Sequence, residues 1–281
     1  MDQSFTKTWH KDPYPFLSLS RPELSASGKN VVVTGGGTGI GRAIAVAFAQ
    51  AGAKTVAIVG RRADKLKEGA DVISAAAKSK DTQVVTETAD ILNLDELTVA
   101  FKSISDKVGK LDVLVLNAGG GKVGNILTLD ANELKEGFDL NVVGALNSLK
   151  AFHPVASAEP IYLYTATGNA HTPAQPMLGA YTLTKGAGVI LLDHFQVENP
   201  SAHVVNVVPG FIKTDLNGHH PAATDSAELA GAFYVWLASA EAKFLKGKMV
   251  WANWDAEEMV KRADEIKSSK LLTTIHGGTP V

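Results

Sequence analysis

The segment TGGGTGIG, from Thr34 to Gly41, constrains this chain most, because it joins an apolar β-branched run, NVVVT, directly to a stretch with helical spacing. A chain that turns from strand to helix within so few residues needs backbone conformations that only glycine adopts freely, and Gly35 supplies one. Gly39 lets the backbone approach a pyrophosphate, and Gly41 lets the helix lie close to a sheet. The helix N-terminus then presents its free N–H groups to an anion. Ile40, Ile44, Ala47, Phe48 and Ala51 form one apolar stripe on that helix, and Gly52 stops it. Without those flanks the glycines would mark only a tight connection. Arg42 stands where the common G-x-G-x-x-G pattern has its third glycine, so the segment reads T-G-x-x-x-G-x-G.

The pattern continues along the chain. Apolar runs at 30–34, 54–59, 83–86, 111–116, 160–165, 203–208 and 248–252 alternate with helical stretches, which predicts seven strands. Right-handed crossovers between them give a Rossmann-like α/β fold: one doubly wound parallel sheet with helices on both faces. With 281 residues, 45% of them hydrophobic, the chain encloses one sizeable core and is read as a single domain. The reading divides it into an N-terminal arm at 1–29, the α/β domain at 30–254, and a tail at 255–281 that is charged and helix-like from Ala256 to about Lys267.

Composition narrows the function. A net charge of −2 gives no basic surface for nucleic acid or an anionic membrane, so a small-molecule partner is expected. The absence of cysteine removes disulfides, thiolate metal sites and a catalytic thiol. No apolar run reaches the roughly 18 residues of a membrane span. The N-terminus, MDQSFTKTWHKDPYPF, carries charges and prolines where a signal sequence is apolar, and Thr279, Pro280 and Val281 match no short address, so the cytoplasm is the default location. The adjacent His219 and His220 lack an accompanying carboxylate cluster, and no metal is expected.

Five further features follow the glycine turn in order: Asp90 after the third strand, NAG at Asn117 to Gly119, Asn141 within FDLNVVGALNSL, Tyr181 with Lys185, and PGFIKT from Pro209 to Thr214. Together with TGGGTGIG they make roughly residues 29 to 254 resemble the short-chain dehydrogenase/reductase family. Tyr181 and Lys185 are four residues apart on a helix and so share a face. The resemblance implies that Tyr181 gives or takes the alcohol proton while hydride moves between nicotinamide C4 and the carbonyl carbon, as in a ketoreductase. It implies that Lys185 holds the nicotinamide ribose and favours the phenolate, and that Asn141 supports a proton-relay water. The family's serine stands about 13 residues before the tyrosine, which is Gly168 here; one inserted residue between His171 and Tyr181 puts Thr167 in its place, with Thr165 the alternative. Either threonine keeps the hydroxyl that would hold the substrate oxygen. His171 is read as a loop residue.

By the same resemblance, the cofactor lies against Thr34, Gly35, Thr38, Gly39, Ile40 and Gly41. Asn117, Ala118 and Gly119 border the adenine ribose, with Asp90 and Ile91 toward the adenine. Lys185, Pro209, Gly210, Ile212 and Thr214 border the nicotinamide and phosphates. The second strand leads into Arg61 and Arg62, with no carboxylate at its end for a ribose 2′-hydroxyl, so NADP is favoured over NAD. The resemblance also implies pairing of the helices at 131–152 and 180–197 into a homodimer or homotetramer. The arm (TKTWH…PYP) and the tail resemble a fungal branch linked to secondary metabolism, and the short segment from Asp215 to about Thr224 leaves the substrate pocket open. Two other functions stay open: a scaffold of this fold that dehydrates, isomerises or cyclises without redox change, and a dinucleotide-binding protein without turnover.

Overall fold

The computed structural model describes residues 4–274. Strand β1 (Asn30–Thr34) runs through the glycine turn into helix α1 (Gly39–Gln50), followed by β2 (Thr55–Gly60), α2 (Ala63–Ala76), β3 (Gln83–Thr88), α3 (Leu94–Val108) and β4 (Leu111–Leu116). The second half contains α4 (Ala131–Phe138), α5 (Gly144–Phe152), β5 (Ala156–Thr165), α6 (Gly179–Glu198), β6 (His203–Val208), α7 (Ala227–Leu237) and β7 (Lys248–Trp251), and closes with α8 (Ala256–Lys261) and α9 (Ala263–Lys267). The seven strands form one sheet in the order β3-β2-β1-β4-β5-β6-β7. All six pairings are parallel. The order reverses between β1 and β4, so a crevice opens beyond their C-terminal ends, where such sheets take ligands.

Alternation along the strands divides the core. Val31 and Val33 of β1 face Ile44, Phe48, Phe233 and Trp236 of α1 and α7, while Val32 faces Phe101, Phe152 and Leu192 of α3, α5 and α6. Each fully buried side chain of this size contributes about 1.5–3 kcal/mol, which holds the helices to the sheet and thereby fixes the loops at its C-terminal edge.

Several boundaries differ from the sequence reading. β2 is shifted by one residue, and β7 ends at Trp251. β3, at the sheet edge, continues to Thr88 through partly exposed residues that carry little hydrophobic pattern. β5 begins at Ala156, where a register shift between Leu111 and Val113 separates its polar start from its apolar body. The tail helix breaks at Arg262, whose guanidinium lies 3.9 Å over the Phe5 ring and donates to the Phe5 carbonyl at 3.2 Å.

The arm lies across this end of the molecule. Leu17 and Leu24 enter the core, and Arg21 pairs with Glu241 at 2.7 Å. Trp9 bridges Trp254 antiparallel, the His10 N–H donates to the Asn253 carbonyl at 2.7 Å, and the Asn253 amide donates to the His10 carbonyl at 2.8 Å. The Tyr14 hydroxyl accepts from the Ala256 N–H at 2.7 Å.

Candidate active site

The glycine turn takes the shape its residues allow. Gly35 and Gly39 have φ of +67° and +53°. A Cβ on Gly41 would collide with the Gly35 carbonyl and stand 2.5 Å from the Asn117 amide nitrogen. That amide donates to the Thr34 carbonyl at 3.1 Å. Thr34 is 1% exposed, and its hydroxyl donates to the Val115 carbonyl at 3.2 Å while accepting from the N–H groups of Asn117 at 3.1 Å and Ala118 at 3.2 Å. Thr34 therefore clamps the ends of β1 and β4 together with its side chain, a role the sequence did not signal.

At the start of α1, Thr38 makes no side-chain cap, so the first N–H groups lack a side-chain acceptor, as an anion site requires. Gly39 faces Thr214, whose methyl would be 3.5 Å from a Cβ there. The chain after β6 reaches this point through Pro209 and Gly210, which has φ of +103°, with Ile212 buried. The uncapped helix end and the side-chain-free Gly39 at its first position fit a dinucleotide pyrophosphate. Arg61, 66% exposed, stands 3.7 Å from Asp90, and Arg62 precedes α2 without capping it. Asp90 accepts from the Leu92 N–H at 3.0 Å, and buried Asn147 donates to the Ile91 carbonyl at 3.0 Å. Arg61 and Asp90 stand beyond the ends of β2 and β3, and a buried polar cluster lies near β5.

That cluster centres on Lys185. It is 4% exposed, its ammonium donates to the Thr165 carbonyl at 2.7 Å, and it lies 5.1 Å over the Tyr164 ring. Burial pushes its pKa down to about 8. A Cβ on Gly119 would be 2.7 Å from the Asn141 side-chain oxygen and 3.0 Å from the Lys185 nitrogen, so the NAG glycine is where these two side chains converge. Asn141 sits in a π-helical segment, Asp139–Val143, between α4 and α5. Its amide donates to the Gly120 carbonyl at 2.6 Å and to the Thr184 hydroxyl at 2.9 Å, and accepts from the Gly120 N–H at 3.2 Å. The wider turn leaves the Asn141 main-chain carbonyl to accept from the Tyr164 hydroxyl at 3.3 Å. Thr184, Gly120 and Tyr164 had no signal of their own in the sequence.

Tyr181 projects from α6 beside Gly121, where a Cβ would stand 2.8 Å from its ring. Burial pushes its phenol up, and the neighbouring Thr167 hydroxyl offsets part of that rise. Thr165 points the other way, sharing a 2.8 Å hydrogen bond with the Tyr234 hydroxyl of α7. Beyond Thr167, the indole of Trp251 donates to His171 at 3.0 Å. The segment after Thr214 is a single turn, Asp215–Asn217, and His219 pairs with Asp215 at 3.0 Å. Among the described residues, no group of three or more metal-ligating side chains is assembled, and no helix is long and apolar enough to cross a membrane.

A doubly wound parallel sheet with a glycine turn at its switch point and a tyrosine, lysine and asparagine beyond β4 and β5 defines an oxidoreductase of the Rossmann type. The family model described as short chain dehydrogenase matches residues 29–225, and the chain belongs to that family. It is 31% identical to the short chain dehydrogenase/reductase nsrO of Aspergillus novofumigatus, over 96% of this chain and 95% of that one. It is 32% identical to a short chain dehydrogenase/reductase of Claviceps purpurea, over 96% and 93%. An alcohol dehydrogenase of Thermococcus sibiricus, solved with 5-hydroxy-NADP, superimposes with a TM-score of 0.66 at 26% identity, over 74% of this chain and 89% of that one.

Proposed function

We propose that this chain interconverts a carbonyl and an alcohol on a small organic substrate, with NADP(H) as the cofactor and Tyr181 as the proton donor. The observation that carries the reading is the cluster in which the Thr167 hydroxyl neighbours the Tyr181 phenol while the buried Lys185 ammonium meets Asn141 at Gly119 and donates to the Thr165 carbonyl.

Each residue has a part. Burial raises the Tyr181 pKa, so its phenol is protonated near neutrality and can donate to a carbonyl oxygen. Thr167 holds that oxygen through its hydroxyl and favours the phenolate left behind. Lys185, with a pKa of about 8, still carries its charge near neutrality and supplies the positive pole that opposes the growing phenolate charge. Asn141, tied to Gly120 and Thr184, fixes the floor beneath Lys185. Gly35, Thr38 to Gly41, Asn117 to Gly119, Pro209, Gly210, Ile212 and Thr214 would hold the dinucleotide, with Thr34 bracing the turn from beneath. When bound, it supplies or accepts the hydride.

Arg61 and Arg62 at the end of β2 favour a 2′-phosphate, and the archaeal relative's NADP derivative agrees with that choice. The fungal relatives support a substrate from secondary metabolism. The apolar groove between α5 and α6, lined by Leu146, Leu149, Leu191 and Phe195, supports a homodimer or homotetramer. A cytoplasmic location remains the expectation. Incubation with NADPH and a panel of ketones and aldehydes tests the reading: alcohol should form mole for mole with NADPH consumed. Product formed without NADPH consumption would replace it with a non-redox reaction.

A further inference from the structure

Gly168, which stands at the family's serine position, meets Trp251 in space. Gly168 occupies the position 13 residues before Tyr181, and Trp251 is the last residue of β7. Gly168 begins the 3-10 turn Gly168–Ala170, directly after Thr167. A Cβ on Gly168 would overlap the six-membered ring of Trp251. The other edge of the same indole reaches the far end of that turn, where its N–H donates to the His171 Nε2 at 3.0 Å and its ring meets the imidazole edge-on at 5.7 Å. Trp251 thus touches the turn at both ends, although it lies 83 positions beyond Gly168 in sequence (251 less 168).

The indole is itself braced from behind. Trp9 of the arm packs against it at 5.6 Å, Trp254 lies at 6.3 Å, and Phe5 backs Trp254 at 5.7 Å. The two hydrogen bonds between His10 and Asn253 hold the arm in register with this row. Aromatic pairs attract beyond the area they bury, so the row restrains the Trp251 indole.

We propose that Trp251 is a positioning residue: braced by Trp9 of the N-terminal arm, it seats the turn Gly168–Ala170 so that the Thr167 hydroxyl meets the Tyr181 phenol. The inference rests on the roles proposed above for Thr167 and Tyr181. It makes the arm part of the catalytic apparatus without any arm residue touching substrate. It also accounts for glycine at 168, since any other residue would displace the indole.

Trp251→Leu removes both the indole N–H and the ring on Gly168, and Trp9→Ala removes the brace. NADPH affinity and Tm are measured first, and unchanged affinity shows that the dinucleotide site is intact. Using the ketone turned over fastest in the panel, Trp251→Leu should lower kcat by about 10- to 100-fold, the loss a small misplacement causes. Trp9→Ala should lower it less. In a Thr167→Val background the same Trp251→Leu change should have almost no further effect, because the residue it positions is already gone. A merely structural role would give the same loss in both backgrounds, and that result overturns the proposal. A substrate-free readout is the NMR resonance of tyrosine labelled at Cζ, assigned by Tyr181→Phe. It should move in Trp251→Leu as it does in Thr167→Val, and an unmoved resonance also overturns the proposal. If Tyr181→Phe keeps full turnover, it is the proposed function that fails; if Tyr181→Phe is inactive while Trp251→Leu is not, only the positioning role fails.

Discussion

Lys185 keeps an ammonium where burial opposes charge, so its pKa falls from 10.5 to about 8 in the folded chain. A difference of that size corresponds to about 3 kcal/mol. The unfolded chain binds more protons between those two values, so stability rises with pH across that window, and the cost is present in full below about 8. Lys185→Met is therefore expected to raise the Tm of the cofactor-free protein near neutral pH, with the gain shrinking as pH approaches 10.5, while NADPH affinity and turnover both fall. A pH series of thermal melts checks it; a Tm below wild type at neutral pH would count against a strained lysine. In the proposed reaction the hydroxyl is the active feature of Thr167. Thr167→Val should leave NADPH binding intact and lower kcat by about 10² to 10³, as for loss of one donor to a developing oxyanion. Thr167→Ser should keep most activity. Thr165→Val should change stability through Tyr234 rather than turnover, and steady-state kinetics of the three variants separate these outcomes. Sequence spacing left Thr165 and Thr167 open because two residues along a strand are equivalent in period. Only the turn after β5 puts their hydroxyls on opposite sides.

At the scale of elements, the glycine turn was legible because its chemistry is local: a positive φ at Gly35 and Gly39 needs no partner elsewhere in the chain. The π-helical segment around Asn141 was not. Its Asn141 is bonded to Tyr164 and Gly120, which come from other parts of the chain and leave no pattern in FDLNVVGALNSL. The break between α8 and α9 was invisible for the same reason, since Arg262 is pinned by Phe5. The end of β2 carries the proposed preference for NADP. Arg61 is exposed and only loosely paired with Asp90 at 3.7 Å, so its guanidinium is free to turn toward a 2′-phosphate. Arg61→Asp should weaken NADPH binding by at least tenfold, about 1.4 kcal/mol, and leave NADH binding nearly unchanged. Titrations with both cofactors check this, and an equal loss for both would remove Arg61 from the site.

Over the whole molecule, seven strands and their parallel order followed from alternation and crossover handedness, whereas the docking of the arm did not. Contacts such as those of Thr8 with Glu258 and His10 with Asp255 join residues about 250 positions apart through polar groups, and no periodicity announces them. Tyr14 shows their weight, because its hydroxyl accepts from the Ala256 N–H at 2.7 Å in a partly buried place. Tyr14→Phe leaves that N–H without its acceptor at a cost of about 1–3 kcal/mol. Its Tm should fall by several degrees, on the order of 2–4 °C per kcal/mol, with NADPH affinity unchanged. A differential scan beside a cofactor titration reads both, and an unchanged Tm would mean the arm adds little to stability. The central claim, that the fold, the glycine turn and the buried lysine serve a proton delivered by one phenol, is tested most directly by Tyr181→Phe. With ring, lysine and turn retained, NADPH should bind almost as in wild type while carbonyl reduction slows by at least the 10² to 10⁴ typical of general acid catalysis. Normal product formation in Tyr181→Phe would contradict the account.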